Sequence, residues 1–292
     1  MLGVFAWVLL SPLEVHAQAE EVPVTEGLLA PHEEATLLAR LELVAGQTLH
    51  GVAQGLYISG VADEEDIAPV TTLVGGLVGG VGAFYFTRKG ISHGPAMAIN
   101  AGTYWGMTNG LLFFLPRGDL STEARWASML VFTTAGTGLG IFIASELRPR
   151  AGQVALTNSA GFWSGALATY LLMASNQSRD PRLFGLIQAS TDAGLLGGMV
   201  LSMFLDTSRF RMLLIDVGGV LGTLFGTGLS VVLADGYDIP TFGACAAGST
   251  LAGLALATYL TRDVDREDAP AVSFMPLVGR KGELGLMMGA RF

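Results

Sequence analysis

Two carboxylates, Asp192 and Asp216, lie inside long apolar stretches of this 292-residue chain. A charged side chain in the middle of a membrane helix costs about 2.5–3.5 kcal/mol, so each must face other helices or a wetted cavity. Asn100 and Asn158 lie in two further apolar stretches, and the steps from 100 to 158 and from 158 to 216 are both 58 residues. Two chemistries fit these four residues. They could form a path for a proton or a cation through a helix bundle. They could instead tie helices together through hydrogen bonds of about 0.6 kcal/mol each, and this packing role is the expected one. The two carboxylates should not meet, because Asp192 lies about 21 Å from the turn joining their helices and Asp216 about 10 Å.

Other reactive residues give less. No two of His16, His32, His50 and His93 have metal-ligand spacing, so no metal site is expected. His50 is placed to form an interior polar cluster with Gln47 and Gln54. The single Cys245 can form no internal disulfide. The glycine clusters at Gly75, Gly76, Gly79, Gly80 and Gly82, and at Gly136, Gly138 and Gly140, lack the Lys-Ser/Thr of a phosphate-binding loop. They also lack its strand–turn–helix setting, so they are expected to serve close helix packing. Tyr104, Trp105, Phe162 and Trp163 recur 58 residues apart and are expected to fill grooves between helices. The segment 213–221 resembles the first motif of haloacid-dehalogenase-type phosphatases, which would make Asp216 a nucleophile. The family's second acidic position is Gly218 here, and apolar helices follow instead of alternating strands and helices. No enzyme and no cofactor are expected.

The elements that must hold these residues are apolar runs at about 41–62, 67–87, 95–115, 125–145, 152–174, 183–205, 211–234 and 239–261. Runs of about 20 residues match the thickness of a bilayer core when helical. Composition agrees: 51% of the residues are hydrophobic and 14% are charged, where soluble domains carry about 25% charged residues. Short polar breaks separate the runs. Small residues fall at every fourth position: Gly102, Gly106 and Gly110, then Gly136 and Gly140, Gly194 and Gly198, and Gly218, Gly222 and Gly226. Such stripes let helix backbones approach closely. Equivalent positions recur at 58 residues, and at 55 for Gly51 and Gly55 against Gly106 and Gly110. The expected fold is therefore an all-α integral membrane bundle of about eight transmembrane helices, arranged as four repeated hairpins. Barrel strands are excluded, since they would be half as long and alternate polar with apolar residues.

The termini complete the plan. Residues 1–17 read as a signal peptide, with an apolar core at 2–10 and a small-x-small site before Gln18. Residues 18–40 form an acidic linker, 41–262 the membrane domain, and 263–292 a polar linker with a β-like tail. Arg40, Arg88, Lys89, Arg148, Arg150, Arg209, Arg211, Arg262 and Arg266 fall on one side, against Arg117, Arg125, Arg179 and Arg182 on the other. In an inner membrane the basic side is cytoplasmic, which puts the N-terminus inside, whereas a cleaved signal puts it outside. The tail alternates Leu284, Leu286, Met288, Ala290 and Phe292. It resembles the last strand of bacterial outer-membrane barrels, which keeps the outer membrane as the alternative to a favoured inner membrane. The net charge of -9, with no basic face, argues against nucleic acid. Expected partners are the lipid bilayer and a second copy or another envelope protein. The expected function is a structural or assembly role in a bacterial envelope, and the alternative is a channel or transporter for a small solute, ion or proton.

Overall fold

The structure is a computed structural model that describes residues 35–175, 183–234, 238–265, 271–278 and 284–291. The described residues form eight helices: α1 Leu37–Ala62, α2 Ala68–Phe86, α3 His93–Phe114, α4 Thr122–Phe142, α5 Ala151–Ala174, α6 Leu183–Ser202, α7 Arg209–Leu233 and α8 Ile239–Leu260. Their starts are set locally. The side chains of Thr36, Ser121, Ser208 and Asp238 accept the backbone N–H three residues on, satisfying donors that have no partner within the helix. Prolines stand in the first turns of α2 and α8, where a missing N–H costs nothing. α4 ends in a π-helical turn, Ile143–Leu147, before Arg148 reverses the chain in the left-handed region at φ 45°.

Each helix packs most extensively on its neighbour in the chain, giving the pairs α1–α2, α3–α4, α5–α6 and α7–α8. The odd helices also pack on one another in the order α1, α3, α5, α7. Each later even helix covers the preceding odd one as well: α4 lies on α1, α6 on α3 and α8 on α5. The odd helices thus form an inner layer and the even helices an outer one.

The distribution of side chains is inverted relative to a soluble protein. Thr133 and Thr250 are fully buried, and the interior mixes alanines and polar residues such as Gln47, Asn100 and Ser159 with a few large apolar ones such as Leu43, Met129 and Trp163. Leu73, Leu77, Val78, Val81, Leu196, Leu224 and Phe225 point outward and are exposed. Large exposed apolar surfaces belong against another apolar phase. Five helices (α2, α6, α7, α8, and α4 with its π turn) are long and apolar enough to cross a membrane. This differs from the expectation that all eight would qualify. The other three, α1, α3 and α5, span 26, 22 and 24 residues. Length is therefore not what sets them apart. All three are inner helices, as α7 is, but residues such as Gln47, His50, Asn100, Asn109, Gln153 and Asn158, which serve contacts between helices, dilute their apolar character.

Residues 31–262 make one compact unit. In the other, β1 (Ala271–Val278) pairs antiparallel with β2 (Leu284–Arg291), with Ala271 opposite Arg291 and Val278 opposite Leu284. The signal segment, most of the acidic linker, His16, His32 and the terminal Phe292 lie outside the described residues.

A candidate functional site in the inner helix layer

The odd helices start at one common end. There the Thr36 N–H donates to the Ile91 carbonyl at 3.1 Å, tying the start of α1 to that of α3. A Cβ added to Gly94 would strike the Pro149 carbonyl, and one added to Gly152 would strike the Thr207 carbonyl. Both members of the second contact lie 58 residues after those of the first.

Two turns deeper, one kind of contact occurs three times. Gln47 Nε2 donates to Asn100 Oδ1 at 3.1 Å, Trp105 Nε1 to Asn158 Oδ1 at 2.9 Å, and Trp163 Nε1 to Asp216 Oδ1 at 2.8 Å. Donor and acceptor are 53 residues apart in every case, and each bond joins an odd helix to the next. Asn100 Nδ2 also donates to the Glu42 carbonyl at 3.2 Å, and Ser159 Oγ to Asp216 Oδ1 at 2.5 Å. Asn100, Asn158 and Asp216 are thus bound to protein partners at one level of the bundle.

Glu42 is the residue that sequence reasoning missed. It lies 58 residues before Asn100, at the corresponding place in α1. Its carboxylate accepts from Arg209 Nη1 and Nη2 of α7, both at 3.2 Å, and stands 3.6 Å from His93 Nδ1 of α3. His93 Nε2 in turn lies 3.1 Å from Thr36 Oγ1. This ion pair reveals the shape of the inner layer. Packed helices stand about 8–10 Å apart, so a straight row of four would place α1 and α7 about 24–30 Å apart. An arginine–carboxylate pair cannot reach that far, so the row bends round until its first and last members face each other. By the 58-residue spacing Glu42 corresponds to Asn100, Asn158 and Asp216, but while its backbone carbonyl meets Asn100, its carboxylate reaches back to the first residues of α3 and α7.

Asp192 belongs elsewhere. It accepts from Asn109 Nδ2 of α3 at 3.1 Å, while Gln188 Nε2 donates to Asn109 Oδ1 at 2.8 Å. It shares no partner with Asp216. A third polar group joins α1, α3 and α4. Gln47 Nε2 donates to Thr103 Oγ1 at 3.2 Å, Thr103 Oγ1 meets Thr137 Oγ1 at 2.8 Å, and Thr137 Oγ1 meets His50 Nε2 at 3.3 Å. Gln54 Nε2 lies 3.3 Å from His50 Nε2 and 3.2 Å from Thr134 Oγ1. His50 Nδ1 is buried without a hydrogen-bond partner.

The ten packing glycines all face the partner helix of their own pair. Cβ atoms at Gly102, Gly106, Gly136, Gly140, Gly194, Gly218, Gly222 and Gly226 would meet backbone carbonyls of that partner. One at Gly110 would meet Met129, and one at Gly198 would meet Ala160. These stripes are consumed inside the hairpins, so they offer no surface to a second subunit. Gly82, Gly138, Gly197 and Gly248 have nothing within 4 Å of an added Cβ.

Among the described residues no cluster of three or more His, Cys, Asp or Glu could hold a metal ion. No protein-family model, curated protein or solved structure matches the chain.

Proposed function

We propose that this chain is a membrane-embedded helical scaffold of a bacterial envelope, built from four copies of one hairpin. The observation that carries the reading is the thrice-repeated bond from Gln47, Trp105 and Trp163 to Asn100, Asn158 and Asp216. It engages the polar side chains at that level in holding neighbouring hairpins in register. Outward-facing leucine, valine and phenylalanine support a lipid surround, and the basic residues at the start of the odd helices support a cytoplasmic location for that end.

A second reading, a proton-conducting protein, is favoured by one feature. The polar chain from Asn100 through Gln47, Thr103, Thr137, His50 and Gln54 to Thr134 is continuous and contains a titratable ring. Proton flux into liposomes separates the two. The scaffold reading expects wild type, Asp192→Asn, Asp216→Asn and His50→Ala to be equally tight. A leak in wild type that any of these variants abolishes would overturn it. Gly106→Leu and Gly222→Leu should lower the yield of intact protein and broaden its elution profile.

A further inference from the structure

Three of the four seams around the inner layer are sealed in the same way. An odd helix packs on the next odd helix, and an even helix covers the joint from outside. The fourth seam, where α7 meets the α1–α2 hairpin, is sealed in neither layer. No Cα of α7 lies within 8 Å of a Cα of α1 or α2.

Side-chain exposure agrees. Gln47, Trp105 and Trp163 each reach across to the next odd helix, and Gln47 and Trp163 are 8% and 5% exposed. The residue 58 positions after Trp163 is Leu221, which has no donor to offer and is 60% exposed. On the opposite wall Leu49, two turns beyond Glu42 on the same face of α1, is 61% exposed. The Glu42–Arg209 pair, with His93 beside it, bridges α1 and α7 at the basic end.

We propose that this seam is a lateral opening that takes a phospholipid from the surrounding bilayer, its acyl chain lying between α1–α2 and α7. The inference rests on the membrane reading and on the repeated register. The lining chooses the occupant. α2 has no charged residue from Ala68 to Phe86, and α7 has none after Asp216. An empty gap of that kind forfeits dispersion contacts on both walls, and water gains few partners there. At the end of the seam Arg209 is already paired with Glu42, and Arg88 and Lys89, which follow α2 in the chain, are the cations there. That is the level of a phosphate headgroup, and its charge is complementary to these cations.

The test is spin-label accessibility in phospholipid vesicles, using full-length protein with Cys245→Ala. Labels are placed at Leu221→Cys in the seam, Leu73→Cys on the exposed outer face of α2, and Met129→Cys in the buried core. Leu49→Cys gives a second seam position should the first variant fold poorly. The expected result is that seam labels meet lipid-dissolved oxygen as readily as the Leu73 label, and several-fold more readily than the Met129 label. They should be shielded from a water-soluble nickel chelate. Seam labels as protected as Met129 would overturn the proposal, since the ring would then be sealed. Seam labels reached by nickel and not by oxygen would overturn it too, since the occupant would be water. If the Leu73 label itself meets nickel rather than oxygen, the membrane reading fails, and that outcome is distinct from both.

Discussion

A single methyl group at two glycines of one hairpin should change stability in opposite directions. At Gly102 in α3 an added Cβ would strike the Gly136 carbonyl and lie 2.8 Å from both the Cα and the N of Gly140. All three are backbone atoms of α4, and none can swing aside as a side-chain end can. The helices must separate by several tenths of an ångström along their contact. Overpacking of this kind costs about 1–3 kcal/mol. Alanine also recovers about 0.8–1.0 kcal/mol of helix propensity that glycine forfeits. The net expectation for Gly102→Ala is a loss of about 0–2 kcal/mol. At Gly138 in α4 nothing lies within 4 Å of an added Cβ. Only the propensity gain remains there, so Gly138→Ala should stabilise by up to about 1 kcal/mol. The two variants differ by the overpacking cost alone, about 1–3 kcal/mol. Reversible unfolding in mixed micelles, driven by rising SDS and followed by circular dichroism, measures that difference. Gly102→Ala as stable as Gly138→Ala would refute the close approach of α3 and α4.

The ring of polar contacts makes a quantitative claim of its own. Double-mutant cycles on Trp163→Phe with Asp216→Ala, and on Trp105→Phe with Asn158→Ala, should each return a coupling of about 0.6 kcal/mol and no more than about 1.7. Coupling at one pair and none at the other would sink their equivalence. At the exposed start of α8, the Thr241 hydroxyl and then the Thr241 backbone N–H hold the Asp238 carboxyl below its ordinary pKa of 3.8. A lowered folded pKa adds stability at neutral pH, and that stability is lost as the pH falls through the folded value. Asp238→Asn should therefore flatten the acid limb of the stability curve below about pH 4, where midpoints measured at several pH values would reveal it. An unchanged acid limb would show that the cap does not form in solution.

Helix positions could be read from the chain with little error because apolar length and capping residues act locally. The run at 152–174 became Ala151–Ala174, and the run at 239–261 became Ile239–Leu260. The start of α1 at Leu37 rather than 41 follows from Thr36, whose hydroxyl accepts the Ala39 N–H at 3.0 Å and caps the helix four residues earlier. The glycine stripes specify that a helix comes close, but not which helix, since a smooth face suits a hairpin partner and a second subunit equally well. Trp105 and Trp163 carried a hidden signal. Each lies five residues after a polar counterpart, Asn100 or Asn158, and an indole N–H buried at that depth must find an acceptor.

Glu42 escaped notice for a geometric reason. The glycines of α1 align best with those of α3 at a spacing of 55, since Gly51 and Gly55 match Gly106 and Gly110. The hydrogen bonds follow 58 instead, which pairs Gln47 with Trp105 and Glu42 with Asn100. The two alignments differ by three residues, close to the 3.6 of a helical turn, so both keep the same face toward the neighbour. A pattern of faces cannot separate them, whereas a bond between two particular side chains can, because three residues move a donor about 4.5 Å along the axis. In the register of 58 the chain has a fourth polar residue, Glu42, at the position that corresponds to Asn100, Asn158 and Asp216. It also has a fourth crossing position, where Leu221 replaces the donor. Glu42 then needs a partner from another direction, and Arg209, seven residues before Asp216 in α7, is the one it has. Where Leu221 stands in place of a donor, the ion pair at the helix starts links α1 and α7.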